Sequence, residues 1–344
     1  MTELVVEPFG ATAAGVAVAR ITLENAAGAR AQLLDLGATL ADLWLPDRDG
    51  ALGDVLLGFD TAAEYAAPGR WFGCTVGPVA NRIAGARFVL DGREHRLEAN
   101  DGANHLHGAS GGLGHRVWHA SAVARPEGPA VRFAVRRPDG DGGYPGNLDV
   151  EVVYLLGDDG ALRIESRAVT DAPTLVNLTN HAYFDLSCSG TILGHELALD
   201  ATRYLEPDAG RIPTGRVLDV AGTPFDFRRA KPIGRDLAAA GGYDHHFVLK
   251  DAADGRLVRA ARVHDPASGR TMETWTTAPG FQLYTGGGLD ELRGKGGARY
   301  AACAGFCIEA QHPPDAIHHP AFPSVVLRPG ETWLQTTVHR FATG

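Results

Sequence analysis

The sequence predicts an all-β protein, one large antiparallel β-sandwich domain of two packed sheets spanning residues 1–344. Three observations predict it. Apolar residues recur with period two in several stretches, as half-buried strands require. Turn-forming dipeptides separate those stretches. Gly 44 and Pro 20 among 344 residues make about 19% of the chain against roughly 12% on average, which suits many turns better than a helical bundle.

The elements follow in chain order. Thr61–Tyr65 reads as a short helix. Asp91-Gly92 divides Arg87–Leu90 from Glu94–Leu97, a hairpin signal. Val131, Phe133 and Val135 alternate with Arg132 and Arg136. Leu148, Val150, Val152, Tyr154 and Leu156 share one face of a second strand, with Asp149 and Glu151 on the other. After the Asp158-Asp159-Gly160 turn, Leu162 and Ile164 alternate with Arg163 and Glu165. Arg235–Ala240 is a second short helix. Trp333, Gln335, Thr337, His339 and Phe341 form one face of a closing strand. No fixed period emerges, which disfavours a propeller or solenoid.

Composition excludes several functions. Net charge is −9, so no basic field exists to neutralise a phosphate backbone, and no nucleic-acid partner is expected. No apolar run approaches the ~18 residues of a membrane helix, so no membrane partner is expected. Glu3 and Glu7 precede the first basic residue, Arg20, the wrong charge order for a secretory signal; a cytoplasmic protein is expected. Cys74, Cys188, Cys303 and Cys307 are too few for a disulfide scaffold and read as reduced, packed thiols.

Three features look functional and are rejected. Gly286–Gly297 contains Gly294-Lys295, but Gly296 follows where a phosphate loop needs Ser or Thr. Asn177-Leu178-Thr179 matches a glycosylation acceptor that a cytoplasmic chain would not use. His105-Leu106-His107 places two rings on one face of a strand, but no glutamate follows until Glu127, so no metal is expected.

Three stretches carry more. Phe72–Gly85 sets Asn81 and Arg82 among small residues. Arg82 there is either a structural ion pair or a guanidinium donating to a polyol. Asn177–Phe184 sets His181 among polar and aromatic neighbours. Gly305–Asp315 places Glu309 after an apolar run, where a carboxylate is either solvated at a strand end or buried for use. A buried carboxylate and a buried histidine together can supply a base and an acid.

At these residues the chain resembles the aldose 1-epimerase (galactose mutarotase) family. The resemblance runs through nearly the whole chain in order. It begins at Gly58-Phe59-Asp60, Phe72-Gly73 and Ala80-Asn81-Arg82-Ile83-Ala84, and continues through Asn104-x-Leu106-His107-Gly108 and Gly143-Tyr144-Pro145-Gly146. Asn177-Leu178-Thr179-Asn180-His181-x-Tyr183-Phe184, Ile212-Pro213-Thr214-Gly215 and Tyr243-Asp244-His245 follow. Pro279-Gly280-x-Gln282-x-Tyr284-Thr285, Glu309-x-Gln311 and Pro314-Asp315-Ala316 complete it. The resemblance implies a β-sandwich of the galactose mutarotase type. It also implies interconversion of the α and β anomers of free aldoses such as galactose and glucose, with no metal or organic cofactor.

By the same resemblance Glu309 is the general base and His181 the general acid. Asn81, Arg82, His107, Asp244 and Gln282 bind the sugar. Asp139-Gly140-Asp141-Gly142 and Gly286-Gly287 depart from the family pattern, at places expected to shape the cleft rim. The expected partner is a small-molecule aldose, and the expected state a monomer or homodimer. Two alternatives stand beside this: a non-catalytic sugar-binding module, and an enzyme on a modified sugar such as a hexose phosphate, which would favour further arginines around the cleft.

Overall fold

The computed structural model describes residues 4–249 and 255–344. Alternation in the sequence becomes alternation of burial. Val150, Val152 and Tyr154 are buried, while Asp149, Glu151 and Val153 between them are half-buried. Nine strands build one antiparallel sheet, in the order His119–Ala122, Ala130–Arg137, Leu148–Leu156, Ala161–Thr170, Trp333–Thr343, Arg270–Thr276, Val258–His264, Glu196–Leu199, Lys231–Pro232. The final strand of the chain therefore lies inside the sheet, paired on both sides.

Two five-stranded antiparallel sheets complete the frame. One runs in sequence order through Val5–Ala11, Ala17–Glu24, Arg30–Leu34, Thr39–Pro46 and Leu52–Asp54. The other runs Pro213–Asp219, Arg203–Pro207, Asp244–Val248, Gly280–Tyr284, Cys307–Gln311. A contiguous core joins all three: Ile21 and Leu33, Phe133 and Val152, Phe247 and Phe281 belong to one buried cluster. In the last sheet Phe247, Phe281 and Ile308 enter that core. Period two then turns Asp244, Gln282 and Glu309 to the other face.

The α-helices are two single turns among the described residues, Ala62–Tyr65 and Leu237–Ala240. Thr61 caps the first by accepting from the Glu64 N–H. The hairpin forms between Arg87–Leu90 and Arg93–Arg96. Asp91 and Gly92 at φ 49° and 79° give the turn whose twist matches the strands.

Two expectations need correction. Val135 is only half-buried, and the fully buried residue near that strand's end is Arg137. Its two terminal nitrogens donate to the carbonyls of Pro138, Asp141, Tyr144, Pro145 and Gly146, which offsets the burial of a cation on the apolar face of the strand. Cys188 is not a packed thiol: it lies exposed at φ 57° in the turn after Asp185, with Sγ 3.2 Å from the Asp54 carbonyl. The other three cysteines are buried and free.

The rejected features have structural explanations. Lys295 is an anchor, its Nζ 2.6 Å from Asp54 and 3.0 Å from Asp42, tying the glycine-rich loop to the first sheet. Asn177 is fully buried, exchanging hydrogen bonds with the backbone of His312. His105 is held by the Glu98 carbonyl, and His107 sits at φ 56°, so strand alternation ends between the two rings.

Candidate active site

Three backbone devices bring distant residues to one cavity. The first is strand register. Gln282 stands opposite Glu309, and Asp244 opposite Tyr284, on adjacent strands of one sheet. Gln282 Nε2 donates to Asp244 Oδ1 at 2.7 Å. The second is the pairing of Thr179–Asn180 with Thr75–Val76, which leads directly into His181. The His181 N–H donates to the Cys74 carbonyl, and the His181 carbonyl accepts from the Gly73 N–H. The third is the pairing of Arg82–Ile83 with His105–Leu106. It sets Asn81, Arg82 and His107 side by side, with Asn81 at φ 61°.

The result is a cavity of about 430 Å³, the size of a small-molecule site. Asn81, Arg82, His107, His181, Asp244 and Glu309 all line it. Gln282 is buried behind that wall, supporting Asp244. His181 Nε2 lies 3.7 Å from Glu309 Oε1, with both side chains almost wholly buried. Glu309 Oε2 has no hydrogen-bond partner among the described residues. Arg82 donates from Nε to Asp101 Oδ2 at 2.7 Å, so it is at once an ion pair and a cavity wall.

Burial governs the charges. It pushes the Glu309 carboxyl well above the usual carboxylate range, reinforced by Asp244 and opposed by Arg82. It lowers His181 to about 4, opposed by the ring's own backbone and by Asp244. It also holds His107 well below 6.5, with His181 and Arg82 adding to the effect. Desolvation thus favours a pair in which Glu309 holds a proton and His181 is neutral.

His107, His181 and Glu309 offer ligand atoms within 4.8 Å of one another, a spacing that could hold a metal ion. The hydrogen bonds do not fit that use. The Asn81 N–H donates to His107 Nδ1 at 3.1 Å, so the neutral ring carries its proton on Nε2. That nitrogen is a donor, not a metal ligand, unless the Asn81 contact breaks.

Several wall residues escaped the sequence reading. Trp71 lies 4.8 Å from the His107 ring, and Tyr183 5.1 Å from the His181 ring, measured between centroids. Arg70, Arg211, Tyr284 and Asp290 also line the cavity, and Arg211 pairs with Asp244 at 3.3 Å. The tyrosines and Arg211 lie in or beside motifs singled out above. Arg70 carried no signal, and Asp290 lies inside the rejected glycine-rich stretch Gly286–Gly297. Of the two departures from the family pattern, only Gly286-Gly287 leads into the wall, through Gly288 and Leu289. Asp139 and Asp141 instead fix their own loop, bonding the Gly146 N–H and Arg116.

The family model for aldose 1-epimerase matches residues 19–340. The chain is 43% identical to galactose mutarotase of Bos taurus over 318 residues, covering 91% of each. It is 38% identical to aldose 1-epimerase of Escherichia coli (strain K12), covering 93% of this chain and 94% of that one. The crystal structure of an aldose epimerase homologue from C. elegans superposes with TM-score 0.87 at 36% identity, covering 94% of this chain and 98% of that one. Galactose 1-epimerase from Lactobacillus acidophilus NCFM superposes with TM-score 0.86 at 29% identity over the whole of both chains.

Proposed function

The chain belongs to the aldose 1-epimerase family, and from that premise we propose that Glu309 and His181 are the base and acid of its anomer exchange. The enzyme is an isomerase that interconverts the α and β anomers of aldoses. Ring opening takes the C1 hydroxyl proton and delivers one to the ring oxygen. Glu309 as carboxylate receives the first, and His181 as imidazolium gives the second from Nε2. The C1 carbonyl then turns its other face, and closure reverses both transfers.

The observation that carries this reading is the 3.7 Å approach of His181 Nε2 to Glu309 Oε1 on the cavity wall. The two groups hold one proton between them before and after opening. The neutral arrangement favoured by burial is the one that accompanies the open-chain aldehyde. Positioned proton transfer contributes roughly 10²–10⁴-fold per group. Arg82 and the neutral His107 donate to sugar oxygens, and Asp244, braced by Gln282, accepts from hydroxyls. Asn81 orients His107 and Arg82 through its N–H and its Oδ1.

A non-catalytic module would have no use for so close a buried acid and base. A modified sugar is the second reading, favoured by Arg70 and Arg211 on the wall. Anomer exchange followed by polarimetry or NMR across galactose, glucose, xylose, arabinose and a hexose 6-phosphate tests both. Rates no faster than spontaneous mutarotation on every sugar would overturn the assignment.

Our reading extends to a single domain in the cytoplasm, as a monomer or homodimer. The contiguous core supports the first and the four free cysteines a reducing compartment. No helix of the described residues is long and apolar enough to cross a membrane.

A further inference from the structure

Cys307 precedes Glu309 by two residues on the Cys307–Gln311 strand. Strand alternation therefore turns its thiol to the same face as the carboxyl. The imidazole of His181 stands over both. Its Nε2 is 3.7 Å from Glu309 Oε1, and its Nδ1 is 3.6 Å from Cys307 Sγ. One strand thus addresses both nitrogens of the ring, the carboxyl on the cavity side and the sulfur on the buried side. Cys307 is 0% exposed and is not part of the cavity wall.

The chemistry of the ring decides what the sulfur does. A histidine that gives its Nε2 proton to substrate and takes it back must keep a proton on Nδ1 throughout. If Nδ1 loses its proton instead, the neutral ring presents Nε2–H to Glu309 and cannot recover the proton at closure. A fixed acceptor beside Nδ1 prevents this. The ring's own carbonyl also accepts from the Gly73 N–H, and the Cys307 sulfur is a further acceptor within reach of Nδ1. Burial keeps Cys307 a thiol, so it offers sulfur lone pairs and no charge that would trap an imidazolium. His107 shows the opposite arrangement 5.2 Å away: its Nδ1 accepts from a backbone N–H, so its Nε2 is a permanent donor.

We propose that Cys307 is a positioning residue for His181, its sulfur accepting from Nδ1–H and so keeping Nε2 as the nitrogen that exchanges protons with substrate. The proposal rests on His181 being the general acid, and its test separates the two ideas. Long-range ¹H–¹⁵N NMR of histidine-labelled protein reads the His181 tautomer without any turnover. Wild type should show the Nδ1–H form. Cys307→Ala should populate both tautomers and lower kcat about fivefold, the scale of one neutral hydrogen bond, with KM nearly unchanged. Cys307→Ser, which keeps an acceptor, should restore the wild-type tautomer and most of kcat. An Nε2–H tautomer in wild type overturns the proposal whatever the variants do, including any that fail to fold. So does a folded Cys307→Ala with wild-type tautomer and kcat. A defect in the acid assignment instead shows as His181→Asn retaining kcat.

Discussion

Gln282 and Asp244 meet across two paired strands, Nε2 to Oδ1 at 2.7 Å, while the same glutamine stands opposite Glu309 in the neighbouring register. The Asp244 carboxylate and the Glu309 carboxyl are thus fixed to one rigid sheet. Their separation is set by strand spacing rather than by loop conformation.

Replacing Glu309 with Gln removes the proposed base while keeping its size. We expect kcat to fall at least ~10²-fold, the low end for a positioned base. The folded protein should be more stable, not less. Burial raises the Glu309 pKa above its unfolded value. Its favourable contribution therefore exists below the unfolded pKa and is lost as pH rises through the folded one. The melting temperature of Glu309→Gln should exceed that of wild type, by more at pH 7 than at pH 4. Near-wild-type turnover in the folded variant would falsify the base assignment.

The pH profile should be displaced toward acid. In the proposed mechanism, one exchangeable proton on the His181–Glu309 pair is the working state, and a second proton inactivates it. Burial lowers His181 to about 4 from its ordinary 6.5, so the second proton arrives only in that lower range. The acid limb of kcat/KM should fall well below 6.5, while the raised Glu309 pKa moves the opposite limb above the ordinary carboxylate range. An acid limb at ordinary histidine values would contradict this.

His181→Asn and Asp244→Asn should fail differently. The first removes a proton transfer and should act mainly on kcat. The second weakens contacts made in both ground and transition states, so KM should rise. Saturation kinetics by NMR exchange, paired with direct sugar titration, distinguish the two. If His181→Asn raises only KM, the acid is another group, with His107 next in line.

Exhaustive chelation should leave the rate unchanged. The Asn81 N–H commits His107 Nδ1 and makes Nε2 a donor, which leaves the triad short of a ligand. Stoichiometric zinc or manganese in purified protein, with chelator-sensitive activity, would reverse this conclusion.

Arg137→Met should cost about 3 kcal/mol or more, since the Pro145 and Gly146 carbonyls lose the donor they have, and those of Pro138, Asp141 and Tyr144 keep only a backbone N–H. Denaturant unfolding gives the value. A loss under about 1 kcal/mol, the scale of a single hydrogen bond, would mean the loop finds other partners.

Much of this was readable in advance because strands and their turns are local events. The alternation of Leu148–Leu156 and the Asp91-Gly92 turn are set by residues within a few positions of each other. Motif order carried Arg82, His181, Asp244 and Glu309 to one site, although nothing local says that they meet. What escaped was long-range. Arg137 is buried because a loop folds back over it, and its neighbours in sequence are ordinary strand residues. The sequence excludes a phosphate loop at Lys295 but cannot show its use as an anchor, because Asp42 and Asp54 come in from the far end of the chain. Arg211 reaches the cavity from a turn at φ 60°, and only its pairing with Asp244 reveals it.

In the proposed mechanism, the single proton shared by His181 and Glu309 also determines what happens between turnovers. Closure on either face of the carbonyl returns it to the starting arrangement, so the form that releases one anomer is already the form that binds the other. Between cycles the proton need only pass within the pair, and bulk buffer need never reach the cavity. Each anomer therefore competes with the other for one and the same enzyme species. Progress toward equilibrium should follow simple reversible kinetics from either direction, without the lag that a slowly resetting catalyst would impose.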